Sequence, residues 1–283
     1  MFDIVSIGDN CVDIYKNTEG MIFPGGNAVN VSIHSRREKM KVCYFGFFGN
    51  DKFGEIIREN ILEEKVNIDY CRVLKGQTGY TIVELKNGNR FFIEDNLGVQ
   101  INFYIPSDLQ EILSSSKINF YSGFTSWINT NIAIDQKFDI KKIDLDVLKK
   151  INGISKNIAF DFSDITDFDF IKLLAPYINL AFLSIDPSSN HKPKNFAEKI
   201  INFFRKGSVL IITMSKKGSI AFIGNKIVTQ NQIEADVVDT LGCGDAFIGA
   251  FLSEYIKSEG DIKKCLLRGT QVATEELKRF GAW

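Results

Sequence analysis

The sequence predicts an α/β protein in which helices cover both faces of a mainly parallel sheet, with a second, small β-sheet attached. Three observations carry this. Short apolar runs alternate with helix-length stretches over most of the chain, the pattern of strand–helix repeats. Two glycine-bearing turns, Gly25-Gly26-Asn27 and Gly242-Cys243-Gly244-Asp245, stand where helices begin. Gly76 to Phe92 alternates polar and apolar residues around Asn87-Gly88-Asn89, a hairpin signal.

Taken in order, Phe2–Ile7 is an apolar run ending in Gly8, as in a central parallel strand. Asp9 and Asp13 follow at an even spacing, so in an extended segment they share a face. Two acids there either accept hydrogen bonds from sugar hydroxyls or cap a turn. Gly25-Gly26-Asn27 opens a helix carrying Val29, Val31 and Ile33, with Asn30 one turn in. The glycines let a ligand approach the backbone closely, or simply start a helix around a buried polar residue. Val42–Phe48 is the next strand, and the Gly49-Asn50-Asp51 turn precedes a helix at Phe53–Glu64. Arg90, Glu94 and Asn96, beyond the hairpin turn, are candidates to reach a ligand or plain surface residues, the latter favoured for Glu94. Strands follow at Lys117–Ser122, Ile158–Phe162, Leu180–Leu183, Val209–Thr213 and Ser219–Ile223, with helices at Leu145–Asn152 and Phe196–Lys206. In such sheets ligands bind beyond the strand C-termini, where Gly8, Asp161, Thr213 and Asp239 fall.

The stretch Val237-Val238-Asp239-Thr240-Leu241-Gly242-Cys243-Gly244-Asp245 reads as a short strand, a tight turn, and a helix from about Ala246 to Lys257. Amides at such a helix start, with the helix dipole behind them, favour an anion. A carboxylate inside an anion site makes sense if Asp245 takes a proton from a hydroxyl that attacks a phosphoryl group held by the amides of Gly242, Cys243 and Gly244. An aspartate near a helix start also serves as an ordinary cap. No G-x-x-x-x-G-K-[ST] string is present, and Phe247 stands where G-x-G-x-x-G needs its third glycine.

Composition narrows the classes. At 283 residues, 45% hydrophobic and 24% charged, the chain suits one large α/β domain or two small ones and is ample for a buried core. A net charge of -1 gives no reason to expect nucleic acid or an anionic membrane as partner. The five cysteines, Cys11, Cys43, Cys71, Cys243 and Cys265, form no C-x-x-C pair and read as reduced thiols. Two histidines make a histidine-based metal site or triad improbable. The N-terminus opens on a strand without a basic n-region, and no apolar run reaches membrane-spanning length; the cytoplasm is the expected compartment.

The segment Asp239–Phe247 resembles the D-T-x-G-A-G-D-x-F signature of the ribokinase/PfkB family of carbohydrate kinases. Gly25–Val31 resembles the family's N-terminal signature, and Ile7–Asp13 and Gly281-Ala282-Trp283 fit as well, so the resemblance covers the whole chain. Within the family, G-D-N-C-V-D-I-Y, P-G-G-N-A-V-N-V, F-D-F-S-D and G-A-W are most similar to members that phosphorylate fructosamines.

The resemblance implies one ribokinase-like α/β/α domain over 1–283, with a β-sheet lid formed by about 9–24 and 71–100, through which a homodimer can form. It implies ATP and Mg²⁺, with Asp245 as base and a small sugar or fructosamine as substrate. Asp13, Gly25, Gly26 and Asn30 are then sugar contacts, with Asp9 a candidate for the amine and Arg90 and Asn96 for the lid side. Thr213-Met214-Ser215-Lys216-Lys217-Gly218 matches T-L-G-x-x-G, so Thr213, Ser215 and Gly218 line the nucleotide, with Asp161 nearby; Ser215 fits provided it avoids a positive φ. The segment from Asp161 lacks the arginine of D-x-N-x-R, which implies a substrate without a phosphate of its own. Asp239 corresponds to a residue that binds K⁺ in some relatives. The N-x-x-E motif falls at Ser184–Pro187 with neither Asn nor Glu in register, leaving Asp186 as the acid that acts on Mg²⁺ indirectly. Kinases of the family acting on fructose, ribose or a ketogluconate, and a sugar-binding protein that has lost catalysis, are the rival readings; a dinucleotide oxidoreductase lacks its fingerprint.

Overall fold

The computed structural model describes residues 1–16, 21–86, 89–123, 152–155, 157–186 and 192–283. The main sheet is built from β1 (Ile4–Ile7), β4 (Val42–Phe45), β9 (Ile118–Ser122), β10 (Ile158–Asp161), β11 (Leu180–Ser184), β12 (Val209–Thr213), β13 (Ser219–Ile223) and β14 (Lys226–Gln230). Its order is β14-β13-β12-β11-β10-β9-β1-β4, parallel except for the β12–β13 and β13–β14 pairs. β1, β9 and β10, inside the sheet, are fully buried, which is why they read as continuous apolar runs.

Alternation along each strand feeds two cores. Phe120 and Phe182 point to one face, where they meet α1 (Asn27–Arg37), α2 (Lys52–Glu63), α6 (Cys243–Lys257) and α7 (Ile262–Glu276) through Val29, Ile57, Phe251 and Leu266. Tyr121 and Leu183 point to the other, against α3 (Gln110–Ser115), α4 (Phe168–Leu174) and α5 (Pro193–Ile200) through Leu113, Phe170 and Phe196. The result is three layers, as expected.

A second sheet, β3-β2-β7-β8, is made of β2 (Cys11–Tyr15), β3 (Met21–Gly25), β7 (Thr78–Lys86) and β8 (Asn89–Gly98). Here β7 and β8 form the expected hairpin, although Asn87 and Gly88 of its turn lie outside the described residues. The expected helix at Leu145–Asn152 also lies outside them, except for Asn152. Among the described residues, no helix is long and apolar enough to cross a membrane.

Four expectations need correction. Val42–Phe48 is two strands: after Phe45 the chain leaves the main sheet, and β5 (Phe47–Gly49) pairs with β6 (Arg72–Leu74). The second helix expected at Phe196–Lys206 begins earlier, at Pro193, whose fixed φ suits a first turn, and passes into a 3-10 turn at Ile201–Phe203. Val237-Val238 is no strand. Among the described residues no strand pairs with it; the amides of Val238 and Asp239 both donate to the Leu277 carbonyl, at 2.8 and 3.3 Å. Finally, α6 starts at Cys243, three residues before Ala246, because Gly242 at φ 73° takes the cap position and releases the chain straight into helix.

Candidate functional site

The first glycine turn places α1 against the loop after β1. The Asp9 carboxylate accepts from the amides of Asn27 (2.8 Å) and Ala28 (3.4 Å), so an acid remote in sequence satisfies the opening amides of α1. Asp9 therefore takes the capping alternative, and burial pushes its pKa up. Asn27 in turn donates to Asp161 at the end of β10, 2.8 Å away. Asp161 also accepts from the Ser163 amide at 2.8 Å. Burial raises its pKa to about 6 despite those two bonds. Asn27 thus ties Asp161 to the start of α1.

The second glycine turn delivers Asp245 to the same place. Asn30, one turn into α1 and 4% exposed, donates its amide Nδ2 to Asp245 Oδ2 at 2.7 Å. The Asn30 Oδ1 accepts from the Trp283 indole N–H at 2.8 Å. No side-chain bond caps α6 at Gly242. A Cβ on Gly242 would lie 2.6 Å from the Ala282 Cα, so the turn and residues 281–283 are packed as one unit. Cys243 is half-buried at the first turn, while Gly244 is exposed with nothing within 4 Å of where a Cβ would stand.

Asp239 belongs to this unit. Fully buried, it accepts from the Tyr15 hydroxyl (2.5 Å), the Leu241 amide (3.0 Å) and the Gly281 amide (3.3 Å). Three protein donors thus already engage the carboxylate that the resemblance linked to K⁺. Among the described residues, no group of three or more His, Cys, Asp or Glu converges as a metal site. His34 Nε2 lies 2.9 Å from the Ala282 carbonyl, which can only accept, so that nitrogen carries the hydrogen. Burial holds the His34 pKa down at about 4, against the nearby Glu276 carboxylate.

The opposite end of the sheet edge is built differently. Thr213 ends β12, and a 3-10 turn over Ser215–Lys217 leads to Gly218 and β13. Ser215 adopts φ 48°, the conformation its fit was expected to require it to avoid. A serine holds this left-handed conformation here, at a backbone cost of about 1–2 kcal/mol. Beside it lies an open cavity of about 930 Å³, lined by Lys216, Lys217 and residues 231, 232 and 234–237. Asp186 is exposed just past β11.

In the second sheet, Asp13, Thr81 and Asp95 sit opposite one another on β2, β7 and β8, and so share a face. The Thr81 hydroxyl donates to Asp95 at 2.9 Å. Desolvation and then the charges of Asp13, Asp9 and Asp95 push the Cys11 thiol up. Gly25 is packed on Asp13: a Cβ there would lie 2.1 Å from the carboxylate. Asn96 pairs with Tyr80 and Val12 in the neighbouring row, on the other face, and its Oδ1 accepts from the Gly98 amide at 2.8 Å. Asn96 is thus not brought together with Asp13. Arg90 lies on β8 opposite Leu85, and its side chain falls outside the described residues.

Sequence reasoning missed Asn27, Asp95 and Tyr15 and gave Trp283 no task. Only Asp95 carried a usable signal: strand alternation puts it out of phase with Glu94 and Asn96, so choosing those two excluded it.

The profile of the pfkB family carbohydrate kinases matches residues 1–282. The chain is 30% identical over 281 residues to "Fructosamine kinase FrlD" of Bacillus subtilis, covering 99% of this chain and 92% of that protein. It is 28% identical over 284 residues to "Fructoselysine 6-kinase" of Escherichia coli, covering all of both. Among solved structures, Arabidopsis thaliana ribokinase complexed with ribose and ATP superposes with a TM-score of 0.80 at 20% identity, over 99% of this chain and 94% of that one. An uncharacterized sugar kinase from Pyrococcus horikoshii in complex with ATP gives 0.76 at 26% identity, over 99% and 94%. The fold is ribokinase-like, and with the family profile running the length of the sequence, this chain belongs to the pfkB family of carbohydrate kinases.

Proposed function

We propose that the protein transfers the γ-phosphoryl group of ATP to the C6 hydroxyl of fructoselysine, giving fructoselysine 6-phosphate and ADP. The observation that carries the chemistry is Asp245, held by Asn30 in the first turn of a helix that opens on the left-handed Gly242. Asp245 takes the C6 hydroxyl proton; the oxygen attacks the γ-phosphorus and the bond to the β-phosphate oxygen breaks. The amides of Gly242, Cys243 and Gly244 hold the phosphoryl oxygens as charge develops on them. Thr213, Ser215 and Gly218 flank the turn whose Lys216 and Lys217 line the open cavity, which suits the rest of the nucleotide. Mg²⁺ held mainly by phosphates and water needs only one or two carboxylates. Asp186 fits that use, and the ion supplies neutralisation of the β- and γ-phosphates.

Asp13, Gly25, Gly26 and Asn30 form the sugar side, under the second sheet as a lid on a single domain. The fructosamine specificity rests on the two relatives and on the carboxylate row. Asp9 is committed to α1, so the amine falls to Asp95, on the Asp13 face of the lid. Exposed Phe91, Phe92 and Ile93 on β8 and Met21 and Ile22 on β3 support a homodimer through that sheet. With five free thiols, the cytoplasm is the compartment that suits this enzyme.

The test is ADP release from Mg-ATP with fructoselysine, fructose, ribose and 2-keto-3-deoxygluconate. Turnover highest on fructoselysine, with phosphate on O6, is expected. Asp95→Asn should then raise KM for fructoselysine about tenfold, the scale of one lost charge contact, with little change for fructose. A preference for a plain sugar removes the fructosamine assignment and keeps the kinase. Sugar binding without turnover on any of the four removes catalysis itself.

A further inference from the structure

Residues 281–283 have no part in the chemistry above, yet they reach the reacting end of the molecule. The Ala282 backbone fits against Gly242, the Ala282 carbonyl is held by His34, and the Gly281 amide is held by Asp239. Trp283 packs against the small buried cluster of Tyr15, Val83, Leu241 and Ala282, and its indole N–H meets Asn30.

The consequence concerns the Asn30 amide, whose two ends are chemically distinct. An indole N–H only donates and a carboxylate only accepts. Wedged between the two, the amide has one satisfactory orientation: Oδ1 toward Trp283 and Nδ2 toward Asp245. We propose that Trp283 is a positioning residue for phosphoryl transfer, fixing the amide of Asn30 so that Asn30 holds the Asp245 carboxylate in place. This rests on Asp245 acting as base. Without the indole donor, Oδ1 loses its partner, the amide is free to turn, and the bond to Asp245 weakens. A donor to the carboxylate favours its ionised form, so weakening that bond moves Asp245 toward protonation at higher pH.

The experiment is a double-mutant cycle with fructoselysine or whichever panel sugar turns over, using Trp283→Phe, Asn30→Ala and the double variant, with Asp245→Asn alongside. Phenylalanine keeps an aromatic ring and removes only the donor. The expected result is a roughly tenfold lower kcat for Trp283→Phe with KM little changed. The acid limb of its kcat profile should move to higher pH, and the Trp283→Phe effect should disappear in the Asn30→Ala background. Effects that multiply independently, or an unmoved acid limb, overturn the positioning role while Asp245→Asn remains inactive. Near-full turnover in Asp245→Asn overturns the base assignment, and this inference with it. Should Trp283→Phe fold poorly, indole emission of the unmutated protein serves in its place. It should titrate with the carboxylate two hydrogen bonds away and lose that transition in Asp245→Asn; identical titrations in both proteins overturn the proposal.

Discussion

The starts of α1 and α6 are the instructive pair. Both helices follow a glycine turn, both pack on the same face of the main sheet, and both open at the same site. At α1 the opening amides are accepted by Asp9, a carboxylate brought from the loop after β1. At α6 the cap position is Gly242, which has no side chain to offer, and the acid of the first turn, Asp245, is held by Asn30. Glycine turns alone do not make an anion site; what decides it is whether the protein has already placed its own anion there. In the proposed kinase, α1 is structural at its first turn and α6 is where the phosphoryl group sits.

The largest expected effect comes from breaking the α6 side. Asp245→Asn should lower kcat by about 10²–10⁴ and change stability by less than about 1 kcal/mol, read by turnover and urea unfolding. Turnover near that of the unmutated enzyme would remove Asp245 as base.

The next effect belongs to the α1 end and is read through pH. Asp161, at about 6 in the fold against an ordinary 3.8, binds a proton more readily folded than unfolded, so it detracts from stability as pH rises through that window. His34, at about 4 against 6.5, binds one less readily when folded, so stability is lost as pH falls from 6.5 toward 4. The two slopes oppose one another across nearly the same range. Asp161→Asn leaves His34 unopposed, and acidification from pH 6.5 to 4 should then cost on the order of 2 kcal/mol more than in the parent. Parallel stability curves for the two proteins would contradict this.

Removing the α1 anion is a smaller perturbation. Asp9→Ala should destabilise by about 1 kcal/mol, as loss of a helix cap does, and should reduce kcat far less than Asp245→Asn. Equal losses of kcat in both variants would erase the distinction between the two helix starts. The smallest effect lies at the nucleotide end, where Ser215→Gly should stabilise by about 0.5–1 kcal/mol by relieving a left-handed serine. An unchanged melting temperature would mean that the turn holds no such strain.

Much of this was legible without the structure, for a definite reason. Buried parallel strands announce themselves as apolar runs, so β12 and β13 were bounded correctly at Val209–Thr213 and Ser219–Ile223. Glycine turns announce helix starts, so α1 was found, and α6 missed its start by only three residues. Val237-Val238 misled because an apolar pair looks like a strand whether or not a neighbour exists to pair with it; here the amides go to the end of α7. In the hairpin, alternation was visible but its phase was not, since only pairing with β2 through β7 shows that Asp95 shares the face of Asp13.

The sequence by itself determined the layers, the strand–helix alternation, the two glycine turns and the presence of Asp245 at one of them, because burial periodicity and turn chemistry are local. The tertiary structure alone decided which polar groups meet. Asn27 bonds Asp161 across 134 positions, Tyr15 bonds Asp239 across 224, and Trp283 bonds Asn30 across 253. No local pattern encodes such partners, because they are set by which strand ends lie side by side and by which helix start faces them. That arrangement leaves Asp9 as a cap, gives Asp239 three protein donors, and brings Asn30 between Asp245 and an indole that the sequence placed at its far end.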